Sequence, residues 1–231
     1  MTFANETKSI VIGGTSGIGK AVATALANRD GTVDVASRST GLDVKDEAAI
    51  AAYFDAQGPI DHVVFTAGSS APGGAVADVP FDAAKQAFDT KFWGAVAVAK
   101  AAARHIKPGG TITLTSGFLA RRTVPGTYVK TAMNAALEAV AKILAKELAP
   151  IRVNVVSPGL TDTEAYAGMT SEARMAMLHN AAKSLPAGKV GCADDLAAGY
   201  LFAIDNPFVT GAVIDIDIDI DIDIDGGALI N

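Results

Sequence analysis

Short runs of apolar, often β-branched residues alternate along the chain with longer segments in which apolar residues recur at helical spacing. The runs predict strands at Ser9–Ile12, Thr32–Ala36, His62–Thr66, Thr111–Thr115 and Arg152–Val156, and from Ala212 onward. The longer segments predict helices at Ile18–Asn28, Asp46–Ala56, Phe81–His105, Thr131–Leu148 and Ala193–Ala203. Alternation of this kind predicts an α/β fold, a doubly wound parallel sheet covered by helices on both faces. Ligands of such a sheet bind at the carboxyl ends of its strands.

Composition narrows the class of protein. Of the 231 residues, 50% are hydrophobic and 19% are charged, which is typical of a globular chain and predicts a single domain over residues 1–231. No apolar stretch is long enough to predict a membrane span, and the acidic charge of −6 does not favour a nucleic-acid partner. The single cysteine, Cys192, and an N-terminus without the pattern of a secretory signal lead us to expect a cytoplasmic protein. The three histidines lack metal-ligand spacing, so no metal site is expected.

A glycine-rich segment joins the first predicted strand to the first predicted helix. Small residues at this point let the backbone approach a pyrophosphate, whose charge the helix N-terminus stabilises. A plain tight turn is the alternative reading. The residues predicted to surround the pyrophosphate are Gly13, Thr15, Ser16, Gly17, Ile18 and Gly19.

The Gly-x-x-x-Gly-x-Gly spacing of this segment resembles that of the short-chain dehydrogenase/reductase family, and the resemblance extends through nearly the whole chain. Further matching elements are Leu42-Asp43-Val44, Thr66-Ala67-Gly68 (without the family's two asparagines), Ser157 to Thr163, and Asp225-Gly226-Gly227. The resemblance implies a Rossmann fold, a nicotinamide dinucleotide cofactor, and a homodimer or homotetramer. It places Asp43 and Val44 at the adenine and Ala67 and Gly68 beside the cofactor. The loop that would hold the nicotinamide carboxamide contains Pro158, Gly159, Leu160, Thr161 and Thr163.

The residues after the second predicted strand indicate which dinucleotide binds. An acidic residue there would accept hydrogen bonds from a free ribose 2′-hydroxyl and repel a 2′-phosphate. Ser37 and Arg38 instead provide a hydroxyl and a planar cation that suit a phosphate. We therefore expect NADP(H), with a solvated Arg38, or one stacked on the adenine, as the alternative.

The catalytic residues depart from the family pattern. Ser116 stands where the family serine holds the substrate carbonyl, but the Tyr-x-x-x-Lys pair is broken, because Ala132 follows Tyr128 four residues later. Lys91 occupies the place of the family's asparagine, near the nicotinamide ribose. The resulting hypothesis is that Ser116 holds the carbonyl, Tyr128 donates the proton from the loop entering the helix, and Lys91 supplies the positive charge. Lys130 is a second candidate for that charge.

The chain is therefore predicted to be an NADPH-dependent enzyme that reduces a ketone or aldehyde to an alcohol, or catalyses the reverse reaction. The alternative is a non-catalytic NADP(H)-binding protein, a redox sensor or scaffold, on the same fold. Residues 160–190 correspond to the family's substrate flap, and their methionines predict either an apolar pocket wall or ordinary core.

Six isoleucines and six aspartates alternate strictly over residues 214–225. Alternation predicts a half-buried strand, but twelve residues would extend roughly 40 Å, too far for the central sheet to contain them all. Eight of these residues exceed what the family needs before its final Asp-Gly-Gly. Three readings remain open: a tolerated repeat in a ribbon or loop, an edge strand in a subunit contact, and a carboxylate ladder for cations.

Overall fold

A computed structural model describes residues 7–68 and 70–217. Six parallel strands form one sheet: β1 (Lys8–Ile12), β2 (Thr32–Ala36), β3 (Ile60–Phe65), β4 (Ile106–Thr115), β5 (Arg152–Pro158) and β8 (Val213–Ile216). Their order in the sheet is β2-β1-β3-β4-β5-β8, which confirms the predicted doubly wound architecture. Two short strands, β6 (Thr161–Asp162) and β7 (Gly191–Cys192), pair apart from the main sheet.

Helices cover both faces of the sheet. They are α1 (Gly17–Ala27), α2 (Glu47–Asp55), α3 (Phe81–Phe88), α4 (Gly94–Ala102), α5 (Tyr128–Glu147), α6 (Ser171–Ser184) and α7 (Ala193–Asp205). One buried cluster joins α2, α4 and α5 to one face of the strands, and a second joins α1 and α7 to the other face. Burial on both faces explains why the strands read as nearly continuous apolar runs. None of the helices in the described part of the chain has the length and apolar character needed to cross a membrane.

The prediction of a single long helix over Phe81–His105 is wrong. A five-residue π-helical turn, Asp89–Trp93, separates α3 from α4, and β4 begins at Ile106. Gly94 follows this turn and packs closely against Val44, so that a Cβ at Gly94 would lie 3.0 Å from Val44 Cγ2. Such turns widen a helix locally and re-aim its side chains, and this one carries Lys91.

The start of α5 also differs from the prediction. The helix begins at Tyr128 rather than at Thr131, so Tyr128 lies in its first turn and not on the preceding loop. The ring packs with Val129 and Met133 in a small apolar cluster shared with α3. Burial of this face against α3 explains the earlier start of the helix.

The predicted flap contains β6, a 3₁₀ turn at Glu164–Tyr166 and α6. Helix α6 has no buried residue, and Met169 and Met175 are exposed, so the alternative that these two methionines belong to the core is wrong.

Strand β8 contains the beginning of the isoleucine–aspartate tract. Ile214 and Ile216 pack into the cluster beneath α7, as the alternation predicts. Asp215 lies on the opposite side, and only 6% of it is exposed. Residues 218–225 of the tract and the Asp225-Gly226-Gly227 element lie outside the described residues.

Candidate functional site

The glycine-rich turn lies where β1 ends and α1 begins. Gly13 has a φ of +89° and Gly17 a φ of +52°, values that side chains rarely allow. A Cβ at Gly13 would also lie 2.7 Å from the Ala67 nitrogen, so the end of β3 packs directly on the turn. The backbone conformation requires glycine at both positions, and at Gly13 the close approach of Ala67 requires it as well. They leave the N-terminus of α1 open for an anion.

A cavity of about 1000 Å³ opens from this turn along the carboxyl ends of the strands. Its volume is at the upper end of the range for small-molecule sites. Thirteen residues from the predicted cofactor set line it: Gly13, Thr15, Ser16, Gly17, Ile18, Gly19, Ser37, Arg38, Asp43, Val44, Ala67, Gly68 and Thr163.

Hydroxyl groups cluster beside Arg38 at one end of the cavity. The Thr15 hydroxyl donates to Ser37 Oγ at 3.3 Å, and the Ser37 and Ser39 hydroxyls are 2.7 Å apart. The Ser37 amide donates to Thr40 Oγ1 at 2.8 Å, which fixes the turn after β2. Several hydroxyl donors and a guanidinium are thereby placed together at an exposed surface, an arrangement that suits a phosphate dianion.

Four residues of the predicted carboxamide loop lie outside the lining of this cavity: Pro158, Gly159, Leu160 and Thr161. The Gly159 amide donates to the Ile216 carbonyl at 2.9 Å, and a Cβ at Gly159 would collide with Asp217. The loop is therefore packed against the end of β8. Thr163, two residues further along than Thr161, does reach the cavity.

Lys91 and Ser116 lie together at the end of β4. The Lys91 ammonium donates to the Ser116 carbonyl and to Asn134 Oδ1, both at 2.7 Å. Their chain neighbours Thr90 and Thr115 line the cavity, so this cluster adjoins the cavity wall. Lys91, the residue that the sequence comparison predicted as the displaced cation, is thus in direct contact with Ser116 and with Asn134 of α5.

Removal of the Lys91 ammonium from water lowers its pKa to about 8, and the positive charge of Lys130 adds to this effect. The carboxylate of Glu138 acts in the opposite direction. Lys91 is thus a cation that loses its proton more readily than an exposed lysine does.

The Ser116 side chain faces α5. Its hydroxyl donates to Glu138 Oε1 at 2.8 Å, and Arg121 donates to Glu138 Oε2 at 2.7 Å. Arg121 also donates to Ser157 Oγ at 3.0 Å and pairs with Asp215 of β8. Burial raises the pKa of Glu138, whereas Arg121, the Ser116 hydroxyl and Lys142 oppose the rise.

Among the described residues, Tyr128 and Lys130 form no hydrogen bond with the cluster around Lys91 and Ser116. Within residues 7–68 and 70–217, the Tyr128 hydroxyl has no hydrogen-bond partner, and its ring packs in the apolar cluster beside α3. Lys130 is exposed on α5 and influences Lys91 only through its charge. The structure thus brings Lys91 to Ser116 and keeps Lys130 at the surface.

One contact occupies the predicted pyrophosphate position. The Gly17 amide at the start of α1 donates to Glu164 Oε2 at 2.9 Å. Glu164 belongs to the predicted flap, 147 residues further along the chain. The N-terminus of a helix stabilises negative charge, so the carboxylate of Glu164 fits this position electrostatically.

Sequence reasoning missed Glu164, Arg121 and Glu138 as members of the site. Glu138 follows Asn134 by four residues on α5, so the two share a helix face, which is the signal that could have linked Glu138 to the site. Arg121 and Glu164 lie in short 3₁₀ segments or at their ends, and nothing in their local pattern predicts their partners.

Comparison with known proteins adds to this geometry. A family model described as Enoyl-(Acyl carrier protein) reductase matches residues 34–218. The chain is 32% identical over 257 residues to the short-chain dehydrogenase/reductase ucsE of Acremonium sp, covering 96% of this chain and 94% of that protein. It is 29% identical to carbonyl reductase family member 4 of Danio rerio, covering 89% and 94% of the two chains.

A solved structure is more similar still. It is a crystal structure of a small-chain dehydrogenase in complex with NADPH, 56% identical in sequence, with a TM-score of 0.90. The match covers 98% of this chain and 100% of that one.

The low pKa of Lys91 predicts a pH dependence of stability. Between about 8 and the ordinary value of 10.5, the unfolded lysine binds a proton that the folded one has lost. The free energy of unfolding therefore gains a contribution that grows as the pH rises through this window. We expect urea unfolding to show that the free energy of unfolding of the wild type rises relative to that of Lys91→Met between pH 7.5 and 10. The rise should be at most roughly 3 kcal/mol, since one pKa unit is worth ~1.4 kcal/mol.

Lys146→Met is the matched control, because Lys146 is exposed on α5 and its loss removes the same charge. Parallel pH profiles for the wild type and Lys91→Met would contradict a buried, titrating ammonium.

Proposed function

The chain belongs to the short-chain dehydrogenase/reductase family of oxidoreductases, and we propose that it reduces a ketone or aldehyde with NADPH or catalyses the reverse oxidation. The observation that carries this proposal is the contact of Lys91 with the Ser116 carbonyl beside the cavity wall, since it supplies the missing cation at the family serine. The NADPH bound to the similar small-chain dehydrogenase supports the choice of cofactor.

The residues present fit NADP(H). The positive-φ glycines at the start of α1 leave room for a pyrophosphate, and the Gly17 amide already holds an anionic oxygen. Arg38 with the Ser37 and Ser39 hydroxyls suits the 2′-phosphate, and Asp43 and Val44, which the proposal assigns to the adenine, line the same cavity. When bound, the nicotinamide supplies or accepts the hydride.

In our proposal this chain contributes the proton chemistry and the positioning. Ser116 hydrogen-bonds the substrate oxygen, and Tyr128 transfers its phenolic proton to that oxygen as the carbonyl becomes an alcohol. The Lys91 ammonium stabilises the phenolate that is left. Lys130 is the second candidate for this charge. Exposed Met169 and Met175 of the flap would provide an adaptable apolar wall for the substrate.

We also propose a homodimer or homotetramer in the cytoplasm. Trp93 and Ile143 expose large apolar side chains next to α4 and on α5, which supports a subunit contact there. The isoleucine–aspartate tract remains a second candidate for such a contact.

Cofactor choice is tested with Arg38→Ala. We expect its Kd for NADPH, measured by fluorescence, to rise roughly 10- to 100-fold, because a hydrogen bond to a charged group contributes ~1.5–3 kcal/mol. The Kd for NADH should stay within about 3-fold, as NADH lacks the 2′-phosphate. Arg104→Ala, an exposed arginine outside the cavity lining, is the control. Equal losses for both cofactors would refute the assignment.

Glu164 is expected to compete with the pyrophosphate for the Gly17 amide. Glu164→Gln should lower the Kd for NADPH roughly 2- to 5-fold, because it removes a like charge of the kind that is worth ~0.3–1 kcal/mol at a helix N-terminus. Glu164→Asp keeps the charge but shortens the side chain. It therefore distinguishes the effect of the hydrogen bond to the Gly17 amide from the effect of charge repulsion on the phosphate. Glu172→Gln, exposed on α6, is the control. If neither Glu164 variant changes NADPH affinity, the competition does not occur.

The proton donor is tested with Tyr128→Phe. Loss of a general acid costs ~10²- to 10⁴-fold in rate, so we expect kcat to fall by at least about 100-fold while NADPH binding is kept. Tyr53→Phe on α2 is the control. An unchanged kcat would exclude Tyr128 as the donor. Tight NADPH binding by the wild type without turnover of any ketone, aldehyde or alcohol tested would favour the non-catalytic sensor or scaffold.

A further inference from the structure

The hydroxyl of Ser116 is committed to a partner on α5. Only 3% of Ser116 is exposed, and its hydroxyl donates to Glu138 Oε1 at 2.8 Å. A serine hydroxyl has one proton and two acceptor lone pairs. While the proton points at Glu138, only the lone pairs remain for another ligand.

The other oxygen of Glu138 is held by Arg121. Arg121 donates to Oε2 at 2.7 Å, and its second nitrogen is fixed by Ser157 Oγ and by the buried carboxylate of Asp215. A guanidinium can only donate. Oε2 must therefore remain an acceptor, and any proton taken up by Glu138 resides on Oε1, facing Ser116.

The two ionisation states of Glu138 consequently give Ser116 opposite hydrogen-bonding roles. An ionised Glu138 accepts the serine proton and leaves the serine oxygen as an acceptor, which suits the O–H of an alcohol. A protonated Glu138 donates to the serine oxygen and releases the serine proton, which suits the oxygen of a carbonyl. The proton moves only between Glu138 and solvent, and no bond to the substrate is broken in this change.

We propose that Glu138 is a positioning residue that sets the direction of the Ser116 hydrogen bond, favouring an alcohol when it is ionised and a carbonyl when it is protonated. This inference rests on the proposed function, in which Ser116 binds the substrate oxygen.

Burial and neighbouring charges act in opposite directions on the pKa of Glu138, and burial has the larger effect. Burial raises its pKa from the ordinary value of 4.5. The charged groups that face it are Arg121 after the 3₁₀ turn, Lys142 one turn further along α5, and Lys91 from the π-helical turn. Asp215 of β8 lies behind Arg121 and offsets part of the guanidinium charge.

Glu138→Gln fixes one of the two states. Because Arg121 requires an acceptor, the glutamine carbonyl should face Arg121 and its amide should donate to Ser116, as a protonated carboxyl would. We expect the KM of the carbonyl substrate to fall about 5-fold at pH 8, the equivalent of one net hydrogen bond, and to become independent of pH. The KM of the alcohol should rise by a similar factor. The wild type should show both KM values changing in opposite directions with pH.

Glu147→Gln removes a carboxylate at the exposed end of the same helix and should leave both profiles as in the wild type. Glu138→Asp is a second variant, because the shorter side chain cannot bridge Ser116 and Arg121 and should also release the serine proton. Either Glu138 variant suffices if the other does not fold.

Unfolding provides a readout that is independent of turnover. A raised folded pKa means that the free energy of unfolding falls as the pH rises from about 4.5 through the folded pKa. Urea unfolding should show this loss in the wild type and not in Glu138→Gln. Its absence in the wild type would overturn the inference.

The outcomes separate this inference from the proposed function. If Ser116→Ala abolishes turnover but the KM profiles of the wild type and Glu138→Gln coincide, the inference is overturned and the proposed function stands. If the wild type turns over no carbonyl or alcohol at any pH, the proposed function is overturned and the inference with it.

Discussion

The Lys91 ammonium is the charge around which the site is arranged. A cation removed from water needs acceptors, and Lys91 finds them in the Ser116 carbonyl and Asn134 Oδ1. Its position depends on the π-helical turn between α3 and α4, which directs its side chain towards the end of β4. The turn thereby keeps a positive charge beside Ser116.

A chain of hydrogen bonds extends from that charge to the edge of the sheet. It leads from Ser116 through Glu138 and Arg121 to Asp215 of β8. Arg121 lies between two carboxylates, which orients its planar fork and leaves each carboxylate with a defined donor. The first aspartate of the isoleucine–aspartate tract is therefore part of the same network as the family serine. Strand β8 supports the site as well as closing the sheet.

Both α1 and Glu164 determine whether an anion can reach the glycine-rich turn of the cavity. Glycines at the start of α1 keep the helix N-terminus accessible, while the carboxylate of Glu164 already occupies the Gly17 amide. In the proposed function, a pyrophosphate at this position has to displace that carboxylate. Because Glu164 belongs to the predicted flap, the proposed cofactor site and the flap then share one hydrogen-bond donor.

The sequence by itself determined the doubly wound sheet, the glycine-rich turn and the hydroxyl–arginine cluster at Arg38, because each is encoded locally by periodicity and by residues a few positions apart. It also predicted Lys91 as a candidate for the displaced cation, and that role stays a prediction. It could not divide the helix predicted over Phe81–His105, because a five-residue π-helical turn is too short to show a periodicity of its own. Nor could it pair Glu138 with Ser116 or Glu164 with Gly17. Those contacts join residues far apart in the chain, and only the packing of α5 and the flap against the carboxyl ends of the strands decides them.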